Sequence, residues 1–156
     1  MTQASIYTMA WSGVGKGQAW MIYVLAYEGK NGEVTKTFKE YARQITGNAA
    51  QLLVIAQAFR HFTRPCDIAL YVEWPGFEEA IRNIAGWKAN GWRTSKGGAV
   101  RNRELLEEIA GHMAKHEVKV MTGQPHAYRK WMCEELAAAK RGERSDFTEA
   151  KSRKPA

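Results

Sequence analysis

Between residues 85 and 103 the chain carries Lys88, Arg93, Lys96, Arg101 and Arg103 and no acidic residue, with Trp87 and Trp92 set among them. Cationic side chains without acidic partners suit the phosphates of a polyanion, where counterion release drives binding. Thr94 and Asn102 add groups that can hydrogen-bond phosphate or sugar oxygens. The two indoles serve either such a contact or a small apolar hinge. Other reactive groups are sparse. Asp67 and Asp146 are the only aspartates. His112 and His116 lie four apart, a metal-compatible helical spacing, but no third ligand accompanies them, so a solvated helix face is expected. Cys66 and Cys133 match neither a zinc knuckle nor a redox motif and are expected as two buried thiols in a reducing cytoplasm.

These groups need a scaffold. The 156 residues, 45% hydrophobic and 25% charged, suit one globular domain that needs no disulfide or metal staple. The net charge of +7 is concentrated in the 85–103 segment and in residues 140–156. Apolar runs such as Trp20–Tyr27 fall far short of the ~20 residues of a membrane helix. No membrane partner and no export leader are expected.

Strand signals cover Ser5–Trp11, Gln18–Tyr27 and Val34–Ala42, with a turn at Gly29-Lys30-Asn31-Gly32. Thr46 or Asn48 can cap a helix running to about Phe62. Asp67–Trp74 reads as a buried strand, and Pro75 opens a helix striped by Phe77, Ile81 and Ile84. Trp87–Arg103 reads as a loop or broken helix. A helix over Glu104–His116, a strand over Val118–Met121 and a helix over Ala127–Lys140 follow. The folded domain is expected over residues 1–141, and the basic stretch 142–156 as a disordered tail. The order is that of an α/β domain whose last two strands, each reached through a helix, pair in parallel.

Three segments carry a family likeness. Trp87-Lys88-Ala89-Asn90-Gly91-Trp92-Arg93-Thr94, continuing through Lys96 to Val100-Arg101-Asn102, is the most specific. Cys133-Glu134-Glu135-Leu136-Ala137 and Ile6-Tyr7-Thr8 add to it. With the element order, these make the chain resemble bacterial ribonuclease HI over about residues 4–140. The resemblance implies a five-stranded mixed sheet, three antiparallel strands then two parallel, flanked by helices. It also implies a basic handle over about 85–103 that grips the DNA strand of an RNA–DNA hybrid, through Trp87, Lys88, Trp92, Arg93, Thr94, Lys96, Arg101 and Asn102.

The family cuts RNA with four carboxylates, commonly Asp, Glu, Asp, Asp, that hold two magnesium ions. The matching catalytic positions here are Met9, Gln51, Glu73 and Glu134. A thioether is a poor magnesium ligand and an amide brings no charge. Met9 is therefore expected as a core methionine. Glu73 and Glu134 are expected to hold at most one ion weakly, or to pair with Arg129 or Lys130. The family's mobile histidine falls at Gln124, with His126 two residues on. The expected function is binding of RNA–DNA hybrid or double-stranded RNA with cutting absent or strongly impaired. No cofactor is then required, and magnesium or manganese enters only with residual activity. The alternatives are an active nuclease with an altered ligand set and a protein-interaction scaffold on the same fold.

Overall fold

The computed structural model describes residues 1–13, 17–143 and 146–150. The N-terminal third forms β1 (Thr2–Ser12), β2 (Gly17–Gly29) and β3 (Gly32–Ile45), paired antiparallel in sequence order. The β2–β3 hairpin turns through Lys30 and Asn31, with Gly29 opposite Gly32. Gly32 has φ +112°, and a Cβ on Gly29 would lie 2.6 Å from the Val34 side chain. Both positions therefore need glycine.

Helix α1 (Gly47–Phe59) is capped by Thr46, whose Oγ1 accepts from the Ala49 N–H at 3.2 Å. Its residues from Leu52 to Phe59 are all buried, because it lies between the sheet and α3 (Arg103–Lys115). The chain reaches α3 by way of β4 (Cys66–Val72) and α2 (Gly76–Ala89), and continues into β5 (Glu117–Thr122) and α4 (Arg129–Lys140). β4 joins β1 in parallel and β5 joins β4 in parallel, as crossover connections require. Two cores result. One, built on Ile6, Tyr23, Ile55, Phe59 and Leu70, fills the space between the sheet and α1 and α3. The other, around Ile22, Val24, Met132 and Leu136, lies under α4.

Three expectations need correction. The sheet has six strands, not five: Thr148–Glu149 forms β6, parallel to the β3 edge, in the order β5-β4-β1-β2-β3-β6. Part of the expected disordered tail is thus folded, and residues 144–145 and 151–156 of it lie outside the described residues. Phe147 anchors the segment. It is 6% exposed and meets Trp20 edge-on at 5.3 Å. Beside it, Lys39 bridges Asp146 and Glu135. A single aromatic among charged residues does not register as a folding signal, yet a preformed apolar slot can bury it.

The histidines are the second correction. His112 Nε2 lies 2.9 Å from Glu108, whose carboxylate takes a bidentate pair of 2.8 Å contacts from Arg60. His116 is buried and accepts the Cys66 N–H at 3.0 Å. Both rings stack on Phe59. They join α3 to α1 and β4 and do not form a solvated face. The third concerns the thiols: Cys66 is buried but Cys133 is exposed.

Phe147→Ala should lower unfolding free energy by about 3 kcal/mol, the typical cost of an aromatic cavity. Urea denaturation followed by tryptophan fluorescence measures it, and an unshifted midpoint would show that the terminal strand adds nothing to stability.

Candidate functional site

β1 and β4 lie side by side at the middle of the sheet, with Tyr7 opposite Tyr71. Side chains alternate between faces, so Tyr7, Met9, Tyr71 and Glu73 project toward α4. Glu73 follows the last residue of β4, two positions beyond Tyr71, as Met9 is two positions beyond Tyr7 on β1. The carboxyl ends of parallel strands are where open α/β sheets place ligands.

Met9 is 8% exposed and packs with Ile22, Val24 and Met132. Its sulfur lies 3.6 Å from the Cys133 thiol. Met9 is therefore the core methionine expected from sequence. Gln51, on α1, donates from Nε2 to the Ala10 carbonyl at 3.1 Å, so its amide ties the helix to β1.

Glu73 is held by Arg129 at the start of α4, Nε to Oε1 at 2.9 Å. Its other oxygen, Oε2, is buried 4.0 Å from His126 Nε2. His126 packs against Tyr7 and Tyr71 at centroid distances of 4.6 and 5.4 Å. Its Nδ1 accepts the Tyr128 N–H at 3.2 Å, which puts the proton of the neutral ring on Nε2. Burial lowers the His126 pKa below its ordinary value. Glu73 opposes that shift and Arg129 adds to it. The ring is neutral at pH 7.

The structure pairs Glu73 with Arg129 and not with Glu134. On α4 it is Cys133 that reaches Met9, and the exposed Glu134 lies a further ~100° around the helix. Lys130 is exposed as well, and Gln124 sits exposed on the loop before α4. Two magnesium ions need several anionic oxygens converging at roughly 4 Å separation. This position offers a thioether, a committed amide and one carboxylate already paired with a guanidinium. The residues do not fit a magnesium pair. Among the described residues no three His, Cys, Asp or Glu side chains come together as metal ligands.

The 85–103 segment is the end of α2, a tight loop and the start of α3. Trp92 holds the loop shut. Its N–H donates to the Trp87 carbonyl at 2.6 Å, and its carbonyl accepts the Val100 N–H at 2.9 Å. The ring is 7% exposed, within the main core, and Arg103 lies over it at 5.4 Å. Trp92 is thus removed from the expected contact surface and becomes the hinge that shapes it. The loop backbone closes through Thr94 N–H to Gly98 carbonyl at 2.7 Å, and Arg93 donates to the Gly97 carbonyl at 3.1 Å. Lys88, Arg93, Lys96 and Arg101 stand exposed. Half-buried Trp87 lines a groove of about 530 Å³ together with Thr94, Arg101 and Asn102.

Sequence reasoning missed the tyrosine–histidine packing of Tyr7, Tyr71, Tyr128 and His126, and the Met9–Cys133 contact. Strand alternation alone could have put Tyr7 and Met9 on one face. No local signal could bring His126 or Cys133 to them.

The RNase H family profile matches residues 2–141. The Ribonuclease H of Clostridium botulinum (strain Hall) is 31% identical over 110 residues, covering 68% of this chain and 74% of that protein. The Ribonuclease H of Acidovorax sp. (strain JS42) is 38% identical over 86 residues, covering 53% of this chain and 57% of its own. Among solved structures, LC9-RNase H1, a type 1 RNase H with the type 2 active-site motif, superposes with a TM-score of 0.72 at 18% identity. That match covers 93% of this chain and 75% of the other.

Arg129→Gln removes the charge that helps hold the His126 pKa down and leaves Glu73 to raise it. The His126 titration, followed by NMR of its ring protons, should start below pH 6.5 in the unaltered protein and move upward in the variant. Neutral buried His126 contributes stability that is fully present above pH 6.5 and lost as pH falls through its lowered value. A titration unmoved by the variant would show that Arg129 does not act on this site.

Proposed function

The chain belongs to the RNase H family, and on that footing we propose that it binds RNA–DNA hybrid or double-stranded RNA without cutting it. One observation carries the absence of cutting: the single carboxylate left on the strand side of the site is paired with Arg129, while Met9 is packed into the core. Two-metal hydrolysis of a phosphodiester needs one ion to activate water and one to stabilise the leaving oxygen. A guanidinium can do neither.

Binding makes other demands. Lys88, in the last turn of α2, and Arg93, Lys96 and Arg101, on a loop braced by its own backbone hydrogen bonds, are exposed, so they can neutralise phosphates from a backbone that is already ordered. Duplexes containing RNA are read mainly through shape, phosphate and 2′-hydroxyl contacts. Such a grip survives the loss of a metal site.

A labelled hybrid incubated with magnesium or manganese, with binding and cutting read from the same tubes, tests both halves. Binding that weakens steeply with salt and leaves the strand intact is the expected result. Each lost phosphate contact, as in Arg101→Ala, should reduce the salt slope by about 1. Metal-dependent cutting that disappears in Glu73→Ala would overturn the reading, and the relatives' shared name makes it the rival outcome. Cutting unaffected by Glu73→Ala would come from a contaminating nuclease. Salt-insensitive or absent binding would instead favour the scaffold alternative.

Met9→Asp with Gln51→Glu and Arg129→Ala restores anionic oxygens and removes the competing cation. Calorimetry should then detect magnesium binding absent from the unaltered protein. Equal heats from both proteins would show that these residues do not govern metal affinity.

A further inference from the structure

We propose that the groove beside the handle holds one unpaired nucleotide, its base stacked on Trp74. The inference rests on the nucleic-acid reading above and adds a substrate feature to it: a single-stranded segment next to the duplex.

Trp74 follows Glu73 and precedes α2. It is half-buried at the margin of the main core and lines the same ~530 Å³ groove as Thr94 and Ala99 of the handle loop. Its position depends on Gly76. A Cβ there would lie 2.5, 2.6 and 2.7 Å from three atoms of the indole. Any side chain at position 76 would push the ring away, so the ring lies directly on the backbone where α2 begins. Trp87 supplies a second apolar wall of the same groove.

The remaining lining groups suit the polar parts of a nucleotide. Glu79 and Asn83 lie four apart on α2, so they share one helix face, and both line the groove. A carboxylate accepts from an exocyclic amino group, and an amide can both donate to and accept from a base edge. Asn48, Arg101 and Asn102 line the groove as well. Arg101 supplies the positive charge for a phosphate, and the asparagines supply donors. The carboxylate and guanidinium thus match the base and backbone of one residue in a strand. Paired bases in a duplex keep their faces against their neighbours. Only an unstacked base can present its π-face to an indole.

Fluorescence anisotropy on two labelled hybrids tests this. Each carries a single-stranded extension of equal length, one with bases and one abasic, so the phosphate count is the same. The base-bearing extension should bind about tenfold more tightly, the scale of one base–aromatic stack. That ratio should persist as salt is raised, because stacking releases no counterions. It should fall to about one in Trp74→Ala and in Gly76→Ala, and be largely kept in Trp74→Phe. Gly76→Ala keeps the indole but displaces it, and alanine favours the helix, so an unchanged Tm separates loss of the site from loss of the fold. A ratio near one in the unaltered protein, or one that survives both Trp74→Ala and Gly76→Ala, overturns the proposal. Failure of the duplex reading is distinguishable. If no hybrid binds, a free single strand compared with its abasic counterpart applies the same criterion: a Trp74-dependent ratio supports the groove, and a ratio near one overturns it.

Discussion

The site turns on one ion pair, between the Arg129 guanidinium and the Glu73 carboxylate. Arg129, at the start of α4, reaches the carboxylate that follows the central parallel strand. The arginine side chain is about half exposed, so solvent screens the pair and it adds little to the fold. Its consequence is local. It satisfies the negative charge at the end of β4 from within the chain, beside an imidazole whose pKa burial lowers, with Glu73 opposing that shift and Arg129 adding to it. Apolar packing of Met132 and Leu136 on Ile22 and Val24 sets α4 against the sheet nearby, where Met9 and Cys133 meet as two sulfurs. Once that charge is answered internally, the apolar packing around Met9 is the consistent choice for the rest of the pocket.

What holds the frame is elsewhere. α1 is buried almost on all sides, and Arg60, Glu108 and His112 join it to α3 through a connected polar network. Burial alone would raise the Glu108 carboxyl's pKa, but the hydrogen bonds from Arg60 and His112 outweigh it and hold the group below its ordinary value. Below α4, Phe147 and the Lys39 ion pairs close the second core. Neither network touches Glu73. A change at Glu73 therefore leaves both networks in place.

The handle follows the same division. Trp92 adopts φ +60°, a conformation that a bulky aromatic residue rarely takes. Its burial and the backbone bonds on either side compensate for that cost. The result is a rigid base from which the exposed cations project, adjoining a groove with two tryptophans. Charge lies on the outside of the segment and aromatic surface on the inside.

Much of this was legible in the residues themselves. Alternation in the first three strands, the Gly29–Gly32 turn, the Thr46 cap and the helix start at Pro75 are local signals, and the elements they imply formed within a few residues of expectation. The family resemblance marked positions 9 and 51, and there the poor magnesium chemistry of a thioether and an amide follows from residue type. Long-range placement was not legible. Nothing nearby in the chain says that Arg129 rather than Glu134 meets Glu73, that Trp92 turns inward, that His112 and His116 stack on Phe59, or that Phe147 finds a slot beside Trp20. Those outcomes depend on strand register and on which helix faces which sheet surface. Such contacts join residues many tens of positions apart, and only the folded chain brings them together.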